Sequence, residues 1–233
     1  METLTESSQF LFRNISITIS VIMLSTFAVS RIVFPKMFSA VYNFSKFGHF
    51  KIKEDFGSNI RLFSTENFYF TLLLSASISY VGLNMLMFST GLPEFMEWAV
   101  PKNFGAGVLI WLLLTITVQL FFLLKFLFLS GFGGLFGLPL STSRHFQEVQ
   151  GLNNCFILFL VGICAITTYS NYYFPTNLIG ILMMSILIYL LYRLLNIFFK
   201  LSQLKIYSNL YIFSYLCTTE ILPTVIGIKL LFN

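Results

Sequence analysis

Of the 233 residues, 57% are hydrophobic and only 10% are charged, and the mean hydropathy is +0.83. A soluble domain carries about 25% charged residues, so a water-soluble fold is excluded and the bilayer must be the solvent. The net charge of +5 then points to basic loops facing anionic lipid, with no nucleic-acid partner.

A hydrocarbon core about 30 Å thick is crossed by roughly 20 apolar residues in a helix. Stretches 14–35, 68–90, 105–129, 150–170, 177–198 and 208–231 qualify. They predict an all-α polytopic bundle of about six transmembrane helices, with residues 1–233 as a single integral-membrane domain.

The first span carries a stretch, "STFAVS" (25–30), whose Ala28 and Ser30 resemble a signal-peptidase site. Its flanks have the opposite polarity to a cleaved signal. Glu2 and Glu6 precede Arg13, while Arg31 and Lys36 follow the apolar run, so the span is expected to be retained. Residues 36–67 form the longest connection. Phe38, Tyr42, Phe44, Phe47 and Phe50 alternate there with Lys46, Lys51 and Lys53, with Arg61 beyond. This pattern suits a segment in the headgroup region and a surface for lipid or a partner. His49 stands there without a second ligand and is given no metal role.

"TGLPEFMEWAVPKN" (90–103), with Pro93 and Pro101, separates the second and third spans. The third span carries Gln119 near its centre and Lys125 toward its end. "SGFGGLFG" (130–137) follows, and its four glycines are expected to make helix continuation costly. The run lacks the G-K-[ST] ending of a phosphate loop. Arg144, His145 and Glu148 lie close together beyond it and give only a weak acid–base signal. Cys155 and Cys164, with Cys217 further on, fall in apolar runs without metal-type spacing and read as small packing residues. The interfacial turn "SNYYFPTN" (170–177) leads to the fifth span, which holds Arg193.

The sixth span places Glu220 near mid-bilayer, with Pro223 three residues on. A charge at that depth costs about 2.5–3.5 kcal/mol on insertion scales, so the carboxylate is expected to face protein. With 1.5 Å of rise per residue, Gln119 comes to a similar depth, Arg193 roughly 9 Å, Arg31 roughly 10 Å and Lys125 roughly 12 Å toward the basic face. The expected intramembrane polar cluster is therefore Glu220, Gln119, Arg193 and Lys125, with Arg31 snorkelling to the headgroups. Pro223 lacks an N–H, which frees the carbonyl of Thr219 and predicts a helix kink beside Glu220. Three roles stay open for the cluster: a clasp between helices, a proton or ion site, and a link to another subunit.

Arg31, Lys36, Lys46, Lys51, Lys53, Arg61, Lys125, Arg144, Arg193, Lys200 and Lys205 fall on one side of the six spans; Arg13, Lys102 and Lys229 fall on the other. The positive-inside rule puts the larger group in the cytoplasm and both termini in the periplasm. No internal repeat of the kind left by inverted-repeat transporters stands out.

"YLCTTEILP" (215–223) resembles the C-terminal signature of a family of bacterial multi-span inner-membrane proteins known only as a domain of unknown function. Lys125 before "FLFLSGFGGLFG" resembles a second feature of that family. The resemblance implies about six helices and an inner-membrane home, and it implies no activity.

No H-E-x-x-H, paired-aspartate or G-x-S-x-G motif is present. The expectation is therefore a non-enzyme with no catalytic residues, no cofactor and no metal. It would be an accessory or scaffold subunit of an inner-membrane complex, with protein translocation or secretion as the assembly served. Anionic lipids and other membrane subunits are its expected partners. The alternative is a small transporter or proton-coupled channel that uses Glu220.

Overall fold

A computed structural model describes residues 6–42, 64–88, 101, 103–135, 139–169, 176–202, 209–222, 225 and 229. Every regular element among them is helical: α1 (Glu6–Val33), α2 (Pro35–Val41), α3 (Thr65–Phe88), α4 (Phe104–Leu135), α5 (Pro139–Tyr169), α6 (Thr176–Ser202) and α7 (Asn209–Leu216). A single π turn, Cys217–Ile221, continues α7. This suits a chain dissolved in lipid, where each helix satisfies its own backbone groups.

Five helical segments are long and apolar enough to cross a membrane: Phe10–Val33, Thr65–Leu86, Phe104–Gly131, Glu148–Tyr169 and Gly180–Ser202. Of the sixth expected span, the described part is α7, the π turn and a few residues beyond.

Helix α3 is the centre of the bundle. Within its apolar segment 67% of residues are buried, against 28% for the corresponding segments of α4 and α6. It packs against α1, α4 and α5 and touches α6. Its sequence explains the position. Asn67, Thr71, Ser75 and Ser79 recur every fourth residue and are all buried, and small polar residues let helices approach closely in lipid. Thr71 and Ser75 donate their hydroxyls back to the carbonyls of Asn67 and Thr71 at 2.8 and 2.9 Å, which keeps these groups satisfied without water.

Cross-links fix the helix directions. Ser30 of α1 and Tyr69 of α3 share a hydrogen bond of 2.9 Å at one end, where the Gln150 amide of α5 also donates to Thr71 at 2.9 Å. At the other end the Ser16 hydroxyl donates to Asn84 Oδ1 at 2.9 Å and lies 3.4 Å from the Thr168 hydroxyl. Helix α1 therefore runs antiparallel to α3, and α5 runs parallel to it. The close approach of α4 to α1 depends on Gly107. A β-carbon there would collide with Cδ1 of Ile15, a fully buried residue.

Two apolar clusters result. The larger gathers Ile15, Ile19 and Met23 of α1 with Phe70, Tyr80 and Leu83 of α3, Trp111 of α4 and Leu160 of α5. The smaller joins Leu129 of α4, Val149 of α5, Ile197 and Leu201 of α6, and Ile212, Tyr215 and Leu216 of α7. Cys155, Cys164 and Cys217 form no disulfide, and the first two are buried.

One local expectation fails. Helix α4 does not stop at residue 129 but runs through Gly131, Gly133 and Gly134 to Leu135, and α5 already begins at Pro139. Each glycine costs a helix about 1 kcal/mol relative to alanine. A broken ladder in an apolar setting leaves unpaired backbone groups that each cost more. Leu129, packed in the smaller cluster, also anchors the end of α4. Pro139 sits at the first position of α5, where a missing N–H costs no hydrogen bond.

Candidate functional site

The smaller cluster surrounds the charged residues. Glu220 lies in the π turn at the end of α7 and is almost fully buried. In this turn the amide of Leu222 bonds the carbonyl of Cys217, an i→i+5 step. At its start the carbonyl of Tyr215 accepts both the Thr218 and Thr219 hydroxyls at 2.9 and 2.8 Å. One residue more per turn also resets which face the following side chains present. Such π turns recur at functional positions in helices.

Two cations converge on the Glu220 carboxylate. The Lys125 ammonium of α4 lies 2.7 Å from Oε1, and Nη2 of Arg193 on α6 donates to Oε2 at 2.6 Å. The other guanidinium branch, Nη1, donates to Asn153 Oδ1 of α5 at 3.1 Å. Asn153 Oδ1 also accepts the Tyr189 hydroxyl at 2.6 Å, and the Tyr189 ring is stacked on Phe156 with centroids 3.9 Å apart. The carboxylate thus ties together α4, α6 and the π turn, and through Arg193 it reaches α5. Tyr215, fully buried in the same cluster, packs the base of the turn.

A second ion pair lies further along the same helices. Lys200 of α6 donates to Glu148 Oε2 of α5 at 2.8 Å. It sits seven residues beyond Arg193, about 10 Å nearer the end of α6. Asn196, fully buried between the two pairs, donates to the Tyr192 hydroxyl at 2.8 Å. Among the described residues no group of three or more His, Cys, Asp or Glu side chains is arranged to hold a metal ion.

The structure brings together Glu220, Lys125 and Arg193, as the sequence suggests, but it places Gln119 elsewhere. Gln119 accepts the Ser75 hydroxyl at 2.8 Å and belongs to the interface of α4 with α3. The reason is rotation rather than depth. Gln119 and Lys125 are six residues apart, which is about 240° around the helix axis. Side chains on such different faces cannot serve one carboxylate. Arg31 is exposed at the last turn of α1 and stands apart from the cluster. Pro223, His49 and the basic residues Lys46, Lys51, Lys53 and Arg61 lie outside the described residues.

Asn153 and Tyr189 do not stand out in the sequence reading, and Glu148 stands out there beside Arg144 and His145 but not as a partner of Lys200. A signal for them exists. Tyr189, Arg193, Asn196 and Lys200 follow at spacings of four, three and four, which is one face of a helix. Read as a face, they mark the side of α6 that meets α5 and α7.

Comparison with curated proteins and with solved structures finds no match. Comparison with protein families does find one: the profile described as a domain of unknown function, DUF4271, matches residues 16–231, from the first turns of α1 into the residues beyond the π turn. With nearly its whole length matched, the chain belongs to the DUF4271 family.

Proposed function

We propose that this protein is a non-catalytic accessory or scaffold subunit of a bacterial inner-membrane complex, and that the assembly it serves is one of protein translocation or secretion. In this reading both termini are periplasmic and the basic connections face the cytoplasm, as the distribution of Lys and Arg favours. One observation carries the proposal. The acid in the final helix is spent on joining helices, since both of its oxygens face a cation within 2.7 Å and its side chain is shut away from solvent. A carboxylate that relays protons or ions needs a route to water and a state in which it is released. Here Arg193 and Lys125 hold it from two helices at once, which suits a part whose task is to keep a fixed shape.

The polar groups of the other layers are used in the same way. Ser75 with Gln119, Thr71 with Gln150, and Lys200 with Glu148 are all inter-helix links. The test is affinity purification of the full chain in two mild detergents, alongside reconstitution into liposomes. Stoichiometric co-elution with the same membrane subunits in both detergents, with no ion flux from the chain alone, is the expected result. A chain that elutes alone and conducts ions or protons, with flux abolished in Glu220→Gln, would overturn the reading.

A further inference from the structure

The charge in this part of the bundle does not close. Lys200 and Glu148 neutralise each other at 2.8 Å, but the single Glu220 carboxylate faces both Lys125 and Arg193. Among the described residues of the cluster one positive charge is left over. It sits well inside the membrane-crossing segments. Lys125 precedes Gly131, the end of its apolar segment, by six residues, about 9 Å. Arg193 precedes Ser202 by nine residues, about 13 Å. An excess charge at such depth is costly unless a counter-charge accompanies it.

The geometry also shows from which side a counter-charge would arrive. The carboxylate is the innermost member, with 2% of its side chain exposed, whereas Arg193 keeps 10% and Lys125 15%. All three members are largely covered, and Lys125 is the least covered of them. On α4 Lys125 lies between Leu129, which is buried in the smaller cluster, and Phe121, Leu124 and Phe128, which are exposed and apolar. Entry to the ammonium therefore passes between side chains that face acyl tails rather than water. Lysine and arginine hold phosphate by charge, and arginine also by its fork of donors.

We propose that Lys125 and Arg193, with Glu220 behind them, form a subsite for the phosphate of an anionic phospholipid that enters sideways from the leaflet at the basic end of the bundle. The lipid supplies the missing negative charge, and its tails lie along the exposed apolar face of α4. This holds whether or not the chain is a scaffold, because it rests on the charge count and on the exposed apolar side chains beside Lys125.

Thermal unfolding of the full chain in neutral detergent tests it, with phosphatidylglycerol, phosphatidylcholine or inorganic phosphate added. Phosphatidylglycerol is expected to raise the Tm by about 5 °C over phosphatidylcholine, as saturating ligand does for a chain of this size. Inorganic phosphate is expected to leave the Tm unchanged. Lys125→Gln leaves Arg193 and Glu220 as a neutral pair, so it should lose that increment. Glu220→Gln raises the excess charge and should enlarge it. Loops far from the site are identical in all three proteins, so an equal increment in wild type and Lys125→Gln overturns the proposal. A full effect from inorganic phosphate likewise overturns the lipid as source. Should either variant fail to fold, native mass spectrometry of the wild-type protein from mixed micelles decides. Preferential retention of one phosphatidylglycerol supports the site, and equal retention of both lipids sinks it.

Discussion

Two regions of the bundle are held together by different physics. Around α3 the links are neutral. Ser16 meets Asn84 and Thr168, Ser30 meets Tyr69, and the helices touch through small residues and one glycine. Around Glu220 the links are charged, and the short α7 with its π turn is fastened at the edge of the bundle. In lipid a neutral inter-helix hydrogen bond contributes only about 0.6 kcal/mol on average. Removing one partner of a buried ion pair costs about 3–5 kcal/mol, because the other charge is stranded. The core should therefore tolerate the loss of a polar group but not a gain in volume. The charged region should behave the other way round.

The largest effect is expected at Glu220. Glu220→Leu conserves much of the volume but leaves Lys125 and Arg193 facing each other without the carboxylate between them. The expected loss is about 3–5 kcal/mol, read as a lower Tm in detergent and as faster alkylation of Cys217, which lies in the same π turn. The comparison is sharpened by a triple variant, Lys125→Met, Arg193→Met and Glu220→Met. Buried ionic clusters can be replaced by apolar side chains of similar size with little loss, so the triple variant is expected to recover most of the stability. A triple variant as unstable as Glu220→Leu would show that the cost comes from packing and not from stranded charge.

How far the molecule could be read beforehand follows the same division. Length and hydropathy suffice for the crossing helices, because both act over some twenty residues and are insensitive to detail. The pairing of Glu220 with Lys125 and Arg193 is legible because a buried carboxylate needs cations, and the long side chains of these two can reach it from about 12 and 9 Å along the membrane normal. Gln119 was assigned to the same cluster because depth was considered without rotation about α4. The helix through Gly131 to Leu135 was missed because local propensity was weighed without the cost of an open backbone in an apolar setting. The π turn has no sequence period of its own and was out of reach. Its nearest trace is the Thr218–Thr219 pair, whose hydroxyls cover the carbonyl of Tyr215.

A medium effect tests the other half of the contrast. Gly107→Val adds volume where α4 meets α1, with Ile15 fully buried on the far side of the contact. Overpacking of this kind costs about 1–3 kcal/mol. Ile15→Ala in the same chain should restore part of that loss by making room, although Ile15→Ala alone destabilises. An additive double variant, with no recovery, would mean that the two side chains do not compete for the same space.

The smallest expected effect is the most telling about the neutral region. Ser16 is fully buried between α1, α3 and α5, and its hydroxyl is the point where Asn84 and Thr168 meet. Ser16→Ala removes that hydroxyl and leaves a methyl group of nearly the same shape. Asn84 keeps a second bond, from its amide to the Tyr80 carbonyl at 2.8 Å, and Thr168 keeps its bond to the Cys164 carbonyl at 2.7 Å. Asn84 Oδ1 loses the Ser16 donor, but the Tyr80 hydroxyl, 3.3 Å from Ser16, is within hydrogen-bonding reach of both Asn84 and Thr168, so the loss should stay near 0.6 kcal/mol, about 2 °C in Tm. A loss as large as that of Glu220→Leu would mean that the hydroxyl layer is a cooperative network instead of a set of independent links, and the division between the neutral and charged regions would fall.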